Sequence, residues 1–596
     1  MKNEKATRRL RILTACMGQD VHVAGVVRFV QLAERLGHEC RFTGPATPVE
    51  KVVQELENWK PDVLGLSYRL TPSTVAPLLE KLFSRSSPLL SELGTRVLFA
   101  GTPEVVEVAR LFRPQIHHFF VGGESAREVA AALERGPAGS GSAVGPPGGA
   151  LELIPRLEAK RPFPLLRAHL GLPSVEETVN AVKELAEVGA LDVISVAPDQ
   201  DAQANWFHPE DQDSDAAGAG GVPIRTKEDL LALHEARLRG NHPLLRIYAG
   251  TRDLVPLAGL FRETLRNAWP AVPLFWFNQM DGRGPMPIEE SIAEHLSAIK
   301  WHAERDVPVE VNDPHHWGLR DAHDVVVVAD AYLCGLVAKK LGVKYHVTQY
   351  MFNTPPACSW DMDLARVLAM DRLLNRLEGE DFRLIRQTRA GLASFPLDPD
   401  RAKAHLAATT AVQLAVDPDV VHVVTHCEAD HAARPADIVE SVKVVEHVLE
   451  RHSGRRSSLA ELPAVKKRVD ELVEQAAWVV EQVPRLVLPG EEAGDPYLNP
   501  KVLARLVYSG VFDAPHLVGN RFALGALQTR VVDGACVAWD PEREAPLDER
   551  ERVNSAIEGY LRRVETRGEP KFESAQRPPH VSAKPGSAKA GGESGT

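Results

Sequence analysis

The segment MGQDVHVAGV, residues 17–26, sets Asp20, His22 and Gly25 as D-x-H-x-x-G directly behind the first apolar run. A carboxylate two residues from an imidazole can be a helix cap beside an ordinary surface histidine. The same pair can make His22 a metal ligand. A ligating imidazole usually donates its second ring nitrogen to a carboxylate, which fixes the tautomer and raises basicity. Asp20 stands where it can do this. Three further loops lie in register with this one: Ser67, Leu70 and Thr71 follow the third apolar run, Gly101 and Thr102 the fourth, Gly122 and Gly123 the fifth. Small residues at consecutive strand ends let backbone approach a large flat ligand or its tail.

A second set of chemistry-bearing residues ends later apolar runs. Arg167 lies in FPLLRAH, and an arginine fork holds a carboxylate bidentately. Asp199, Asn205, Arg252, Asn278, Arg283, Gln349 and Asn353 are expected to line a substrate site with it. Asp313, His315 and His316 end one run together, which suits acid–base or substrate-orienting duty. The plain alternatives are a strand-end salt bridge for Arg167 and a helix cap for Asp313. In THCEADH, His426, Cys427, Glu428 and His431 raise the thought of zinc. They lack the spread over separate strands expected of a catalytic zinc site, so no zinc is expected there.

The elements that must position these groups are strands alternating with helices. RILTAC, CRFTG, DVLGLSY, RVLFAG and HHFFVGG are separated by amphipathic stretches such as GVVRFVQLAERLG. That alternation means βαβ units and a parallel sheet, so residues 8–135 are expected to form a doubly wound, flavodoxin-like domain. GPAGSGSAVGPPGGA lies within a flexible linker, 136–158. Eight runs follow in 159–455: FPLLRAH, LDVISVA, LLRIYAG, VPLFWFN, VPVEVND, VVVVADA, KYHVTQYMF and VVHVVTH. They suit a closed (β/α)8 TIM-type barrel, in which strand ends carry the chemistry. Residues 456–565 read as a helical and small mixed appendage, and 566–596 as a disordered tail.

Composition excludes several classes. The 596 residues carry a net charge of −12, against a nucleic-acid binder, and no apolar run reaches the length of a spanning helix. The opening MKNEKATRRLRIL has no apolar core of a secretory leader. Six scattered cysteines form neither a disulfide framework nor an iron–sulfur motif, so a cytoplasmic location is expected.

The D-x-H-x-x-G element, the Ser67–Leu70 strand end and the Gly122–Gly123 loop resemble, in order, the signature of the cobalamin-binding domain of the base-off, histidine-on type. Two residues, Tyr68 and Arg69, separate Ser67 from Leu70 where the family usually has one. The resemblance implies that His22 takes the lower axial position on cobalt, backed by Asp20. It also implies that the nucleotide tail enters beside the sheet. FPLLRAHLGLPSVEETVNAVKELAEVGA, VEVNDPHHWG and YSGVFDAPHLVGN with TRVVDGACV resemble, patchily, the catalytic subunit of glutamate (methylaspartate) mutase. That implies an adenosylcobalamin-dependent carbon-skeleton mutase, an isomerase working by radical rearrangement, with Arg167 on a substrate carboxylate. PLFWFNQMDG stands where that family has an arginine-bearing strand, so the substrate is expected to be a related carboxylic or amino acid. The alternatives are a corrinoid methyltransferase using methylcobalamin and a non-catalytic cobalamin carrier or sensor. The expected partners are the small-molecule substrate and, as oligomer, a second copy in a homodimer, with no nucleic acid or membrane.

Overall fold

Alternate residues of the first apolar runs face opposite ways, and each face is covered. In the computed structural model, which describes residues 9–122, 124, 129–130, 132–133, 152–451 and 458–573, the chain divides into two compact units, Met1–Ala143 and Val144–Thr596.

The first unit holds β1 (Arg11–Cys16), β2 (Glu39–Phe42), β3 (Val63–Tyr68), β4 (Arg96–Gly101) and β5 (His118–Phe120), all parallel in the order β2-β1-β3-β4-β5. Leu13, Ala15, Leu64, Leu66, Val97 and Phe99 point to one face. There they pack with Val52, Leu79 and Val105 from the helices Val49–Trp59, Pro72–Leu93 and Pro103–Ala109. Ile12, Val63, Leu98 and Phe120 point to the other, against Phe29 and Ala33 of the helix Ala24–Arg35. A parallel sheet buried on both faces reads as near-continuous apolar strands, as these do. The chain leaves β1 for β2 on one side and returns to β3 on the other, so the loops after β1 and β3 flank the point where the order reverses.

The second unit is also α/β with parallel strands: β6 (Leu165–Leu170), β7 (Val193–Val196), β8 (Leu244–Ile247), β9 (Val309–Glu310), β10 (Tyr345–Val347), β11 (Tyr350–Phe352), β12 (Arg383–Ile385), β13 (Gln387–Ala390) and β14 (Val420–His422). β14 pairs β6, β6 pairs β7, and β7 pairs β8. Tyr248 bridges Ala271, which bridges Glu310 at the end of β9. β9 pairs β10, β10 pairs β12, β11 pairs β13, and β13 pairs β14, which gives a three-stranded sheet β12-β10-β9 and a six-stranded sheet β11-β13-β14-β6-β7-β8. Leu166, Ala168, Ile194, Leu245 and Val421 pack outward on the helices. Leu165, Val193, Leu244, Val347, Ile385 and Val420 form an apolar layer around Trp269 at the amino ends of the strands, with Leu153 and Leu157 from the helix Leu153–Lys160 packed on it.

Several expectations are corrected. VVVVADA is not a strand: it lies in the helix Asp324–Lys340, buried on nearly every side against the helices Trp360–Asn375 and Pro463–Glu481. A helix covered all round can carry a β-branched run, because packing overrides propensity. The strand expected there is instead RLIRQTRA, β12 and β13. VPLFWFN forms no named strand, and the ladder passes it only at Ala271. Beyond residue 566 the chain is still packed as far as the structure describes it, with Phe572 on Tyr508 and Phe522, and Glu573 O accepting from Gln279. Of the expected linker, 136–158, residues 136–151 lie outside the described residues, and residues 153–158 are not a linker but belong to the helix Leu153–Lys160, held by burial of Leu153 and Leu157. A three-stranded antiparallel sheet, β15 (Thr529–Val532), β16 (Ala535–Asp540) and β17 (Ala545–Pro546), and the helix Glu549–Arg567 complete this unit.

Candidate functional site

In the first unit, the loops after β1, β3, β4 and β5 share one edge because the strands are parallel. Asp20 is wholly buried, and its Oδ1 accepts from the backbone N–H of His22 at 2.9 Å and from His22 Nδ1 at 2.7 Å. Its Oδ2 accepts from the backbone N–H of Arg69 at 2.7 Å. One carboxylate therefore ties the β1 loop to the β3 loop at the reversal point and orients the imidazole. With Nδ1 on the carboxylate, Nε2 keeps its lone pair; the ring is 51% exposed and no described residue bonds to Nε2.

Around His22 the surface is apolar and open. Val21, Leu70 and Val121 are exposed on these loops. A Cβ added at Gly25 or Gly122 would meet nothing within 4 Å, and Gly122 has φ +94. Gly101 is different: a Cβ there would lie 2.7 Å from Tyr68 O, so glycine lets β3 and β4 stay in contact at their carboxyl ends. Ser67 is buried at the end of β3, Thr71 bonds Thr74 at 2.7 Å at the start of the next helix, and Thr102 precedes Pro103–Ala109. Gly123 lies outside the described residues.

In the second unit, alternation sends Arg167, His169, Arg246, Tyr248, Arg389 and His422 inward, above the apolar layer. Arg167 is 1% exposed. Its Nε donates to Ser195 Oγ at 2.5 Å, one Nη to Gln387 Oε1, and it lies 3.6 Å from Glu310. Arg246 donates to Glu310 Oε2 at 3.0 Å, whereas its Nε and Nη1 have no partner among the described residues. Glu310 supplies the counter-charge of Arg246, and the two remaining buried guanidinium nitrogens are donors that call for an acceptor such as a carboxylate.

Electrostatics follow from this crowding. Burial, then Arg246, pushes Arg167 down to about 9. Burial also lowers Arg389. Glu310 stays below the usual carboxylate range because Arg246 and Arg167 outweigh the burial that opposes them. Burial, reinforced by Arg167, holds His169 and His422 well below ordinary histidine, and these stack with ring centroids 4.6 Å apart. His315 falls to about 3, through burial and then Arg389. The interior thus combines three guanidinium groups with neutral imidazoles and Glu310, a fully buried counter-charge.

The structure relocates several expected substrate residues. Asp199 caps Gln200–Ala204 and holds Arg225 through bonds of 2.8 and 2.7 Å; it is a loop clamp. Asn205 is spent on Asp201, Arg252 on Asp211, and Asn278 on Phe275 O and Met280 N. Arg283 stacks on the Phe277 ring at 3.8 Å. Asp313 is fully buried, accepts from the backbone N–H groups of Leu274 and Phe275, fixes that strandless segment, and is pushed up to about 7 chiefly by burial. Arg167 itself is a buried interior tie. His315, beside His316 at 3.9 Å, and Gln349, bonded to Gln387 at 2.8 Å, do reach the interior network. Asn353 is buried with Oδ1 unpartnered. His169, Arg246, Tyr248, Arg389 and His422 escaped the sequence reading, which looked at strand ends. Their signal was polar residues two apart inside apolar strands: R-x-H, R-x-Y and Q-x-R.

No family model and no curated protein matches this chain. Among solved structures, a cobalamin-binding protein from Desulfitobacterium hafniense DCB-2 is similar at 21% identity and TM-score 0.19. That match covers 22% of this chain and 60% of that one. The spore coat polysaccharide biosynthesis protein spsE from Bacillus subtilis matches at 11% identity and TM-score 0.32, over 50% of this chain and 73% of that one. The cobalamin-dependent S-adenosylmethionine radical enzyme OxsB with aqua-cobalamin bound matches at 10% identity and TM-score 0.18, over 94% and 81%. The chain thus spans 60% of the length of the cobalamin-binding protein. These low scores assign neither fold nor activity to this chain.

Proposed function

We propose that this chain is a cobalamin-dependent enzyme, a carbon-skeleton mutase acting on a small carboxylic or amino acid. The observation that carries the reading is His22, with Nδ1 on a wholly buried Asp20 and Nε2 turned outward beside exposed Val21 and Leu70. In this reading the first unit is a doubly wound domain with its ligand at the reversal point, where such sheets bind ligands. The second is a TIM-type barrel with its site at the carboxyl ends of the strands, a reading supported by the parallel bridges from Tyr248 to Ala271 and from Ala271 to Glu310.

The residues present fit the cofactor. His22 would supply the nitrogen ligand to cobalt, Asp20 would hold the opposite ring proton, and the open space at Gly25 and Gly122 leaves room for a large flat ligand. When bound, adenosylcobalamin supplies a cobalt–carbon bond that breaks homolytically.

The barrel residues do the rest. Arg246 and Arg389 hold the substrate carboxylate. His169 and His422, kept neutral by burial and by Arg167, offer hydrogen bonds without adding charge. Arg167, through Ser195, Gln387 and Glu310, fixes the floor on which the acid sits. The apolar layer below excludes water from the amino end.

The test is anaerobic EPR of the protein with adenosylcobalamin and a panel of small carboxylic and amino acids. A substrate-dependent signal of cobalt(II) coupled to an organic radical supports the mutase. Methyl transfer from methylcobalamin with no such signal contradicts it.

A further inference from the structure

Among the described residues two clusters of metal-ligating side chains lie beyond the loop holding His22. In one, His208, Glu210 and Asp211, His208 is engaged by Asp253 and Asp211 by Arg252; the other is free of such a cation. Cys427, His431 and Asp437 bring Sγ, a ring nitrogen and a carboxylate oxygen within 4.8 Å of one another. They follow β14 in one short stretch. The backbone N–H of His431 donates to Cys427 O at 3.0 Å, so the turn holds the thiol and the imidazole on adjacent positions. Asp437 comes from the first turn of the helix Pro435–Arg451.

Two distances give the cluster its character. His431 Nε2 lies 3.3 Å from Asp437 Oδ2. Two ligands bound at about 2.1 Å to a tetrahedral zinc ion stand about 3.4 Å apart. On the far side of the ring, Nδ1 lies 2.7 Å from Asp430 Oδ2. The ring thus lies between two carboxylates; when a metal takes the place of the Nε2 proton, which leaves to solvent, Asp430 holds the Nδ1 proton, as carboxylates behind metal-bound histidines do. Asp437 Oδ2 also accepts from Arg434 N at 2.9 Å, and Cys427 Sγ lies 3.4 Å from Thr425 Oγ1. His426, the neighbouring histidine, is turned to Ser441 at 2.9 Å and takes no part.

We propose that Cys427, His431 and Asp437 form a zinc-class divalent metal site, with Asp430 orienting His431. Three protein ligands leave the fourth tetrahedral position to water or another small ligand. On binding, the Cys427 thiol loses its proton to solvent and the thiolate ligates the metal. Asp437 was invisible to a search confined to THCEADH, because it arrives six residues later on a helix.

The experiment uses untagged full-length protein, freed of corrinoid and stripped with a chelator, then titrated with Co2+. The proposal predicts one equivalent bound with thiolate-to-cobalt absorption in the near ultraviolet and d–d bands of tetrahedral intensity, all displaced by Zn2+. Cys427→Ser should abolish the near-ultraviolet band, and the exposed-ring variant His431→Gln should lose the tetrahedral spectrum while keeping the wild-type circular dichroism. Asp430→Asn should weaken Zn2+ about 10-fold or more. An octahedral cobalt spectrum without thiolate absorption overturns the proposal. So does a thiolate band that survives Cys427→Ser.

Discussion

Asp20 does two jobs with one carboxylate, and its substitutions should separate them. Asp20→Asn can still accept from a backbone N–H but cannot hold the His22 ring as a carboxylate does; cobalamin affinity should fall about 10- to 100-fold, measured by equilibrium dialysis. Unchanged affinity would remove Asp20 as the support of the ligand. In the second unit the arginines divide by task. Arg167 is wholly buried among Ser195, Gln387 and Glu310, so Arg167→Met should cost about 3 kcal/mol or more in urea unfolding. Arg389, whose one hydrogen bond among the described residues runs from Nε to Ala390 O at 3.3 Å, is the freer cation. Arg389→Met should leave the unfolding midpoint near wild type and raise KM about 10- to 100-fold, the worth of a charged hydrogen bond. The reverse pattern, with Arg389 stabilising and Arg167 tuning KM, would contradict the assignment.

At the scale of elements, the edge of the first sheet depends on close approach. Gly101→Ala places a methyl 2.7 Å from Tyr68 O and should part β3 from β4 at the cofactor edge, costing about 1–3 kcal/mol in unfolding free energy. A neutral outcome would mean that this edge is slack. The five strands here were legible in the sequence because each is a short apolar run bounded by turn residues. The D-x-H-x-x-G loop was legible because its geometry is local: Asp20 and His22 are two residues apart and bond each other. The second unit was harder. VVVVADA looks like a buried strand, but four successive valines also suit a helix packed from every direction. RLIRQTRA was passed over because Arg386, Gln387 and Arg389 interrupt its apolar pattern; Gln387 and Arg389 make sense only in the interior polar network, and Arg386 only against Asp371 and Asn375 of the helix Trp360–Asn375. Asp199 and Arg252 looked like site residues because a charged group reads the same whether its partner is a substrate or Arg225 or Asp211.

Across the whole molecule, buried histidines make a shared contribution to the response to acid. His295, His323 and His346 fall to about 4 and His302 and His315 to about 3, each chiefly through burial. In the unfolded chain these rings titrate near the ordinary value of about 6.5. Below that pH the unfolded state binds more protons, so stability is full above about pH 6.5 and falls as the pH drops toward 4. His302→Gln should remove up to one proton from the uptake on unfolding between pH 6 and 5, flattening the slope by about 1.4 kcal/mol per pH unit. An unchanged slope would place His302 outside the acid response. No helix among the described residues is long and apolar enough to cross a membrane. The account as a whole rests on one nitrogen atom, His22 Nε2. Its most direct test is EPR of cobalt(II) cobalamin on protein grown with heavy-nitrogen histidine. The account predicts that the nitrogen superhyperfine splitting changes from a triplet to a doublet pattern with the label and disappears in His22→Ala. Splitting indifferent to both the label and the substitution would contradict it.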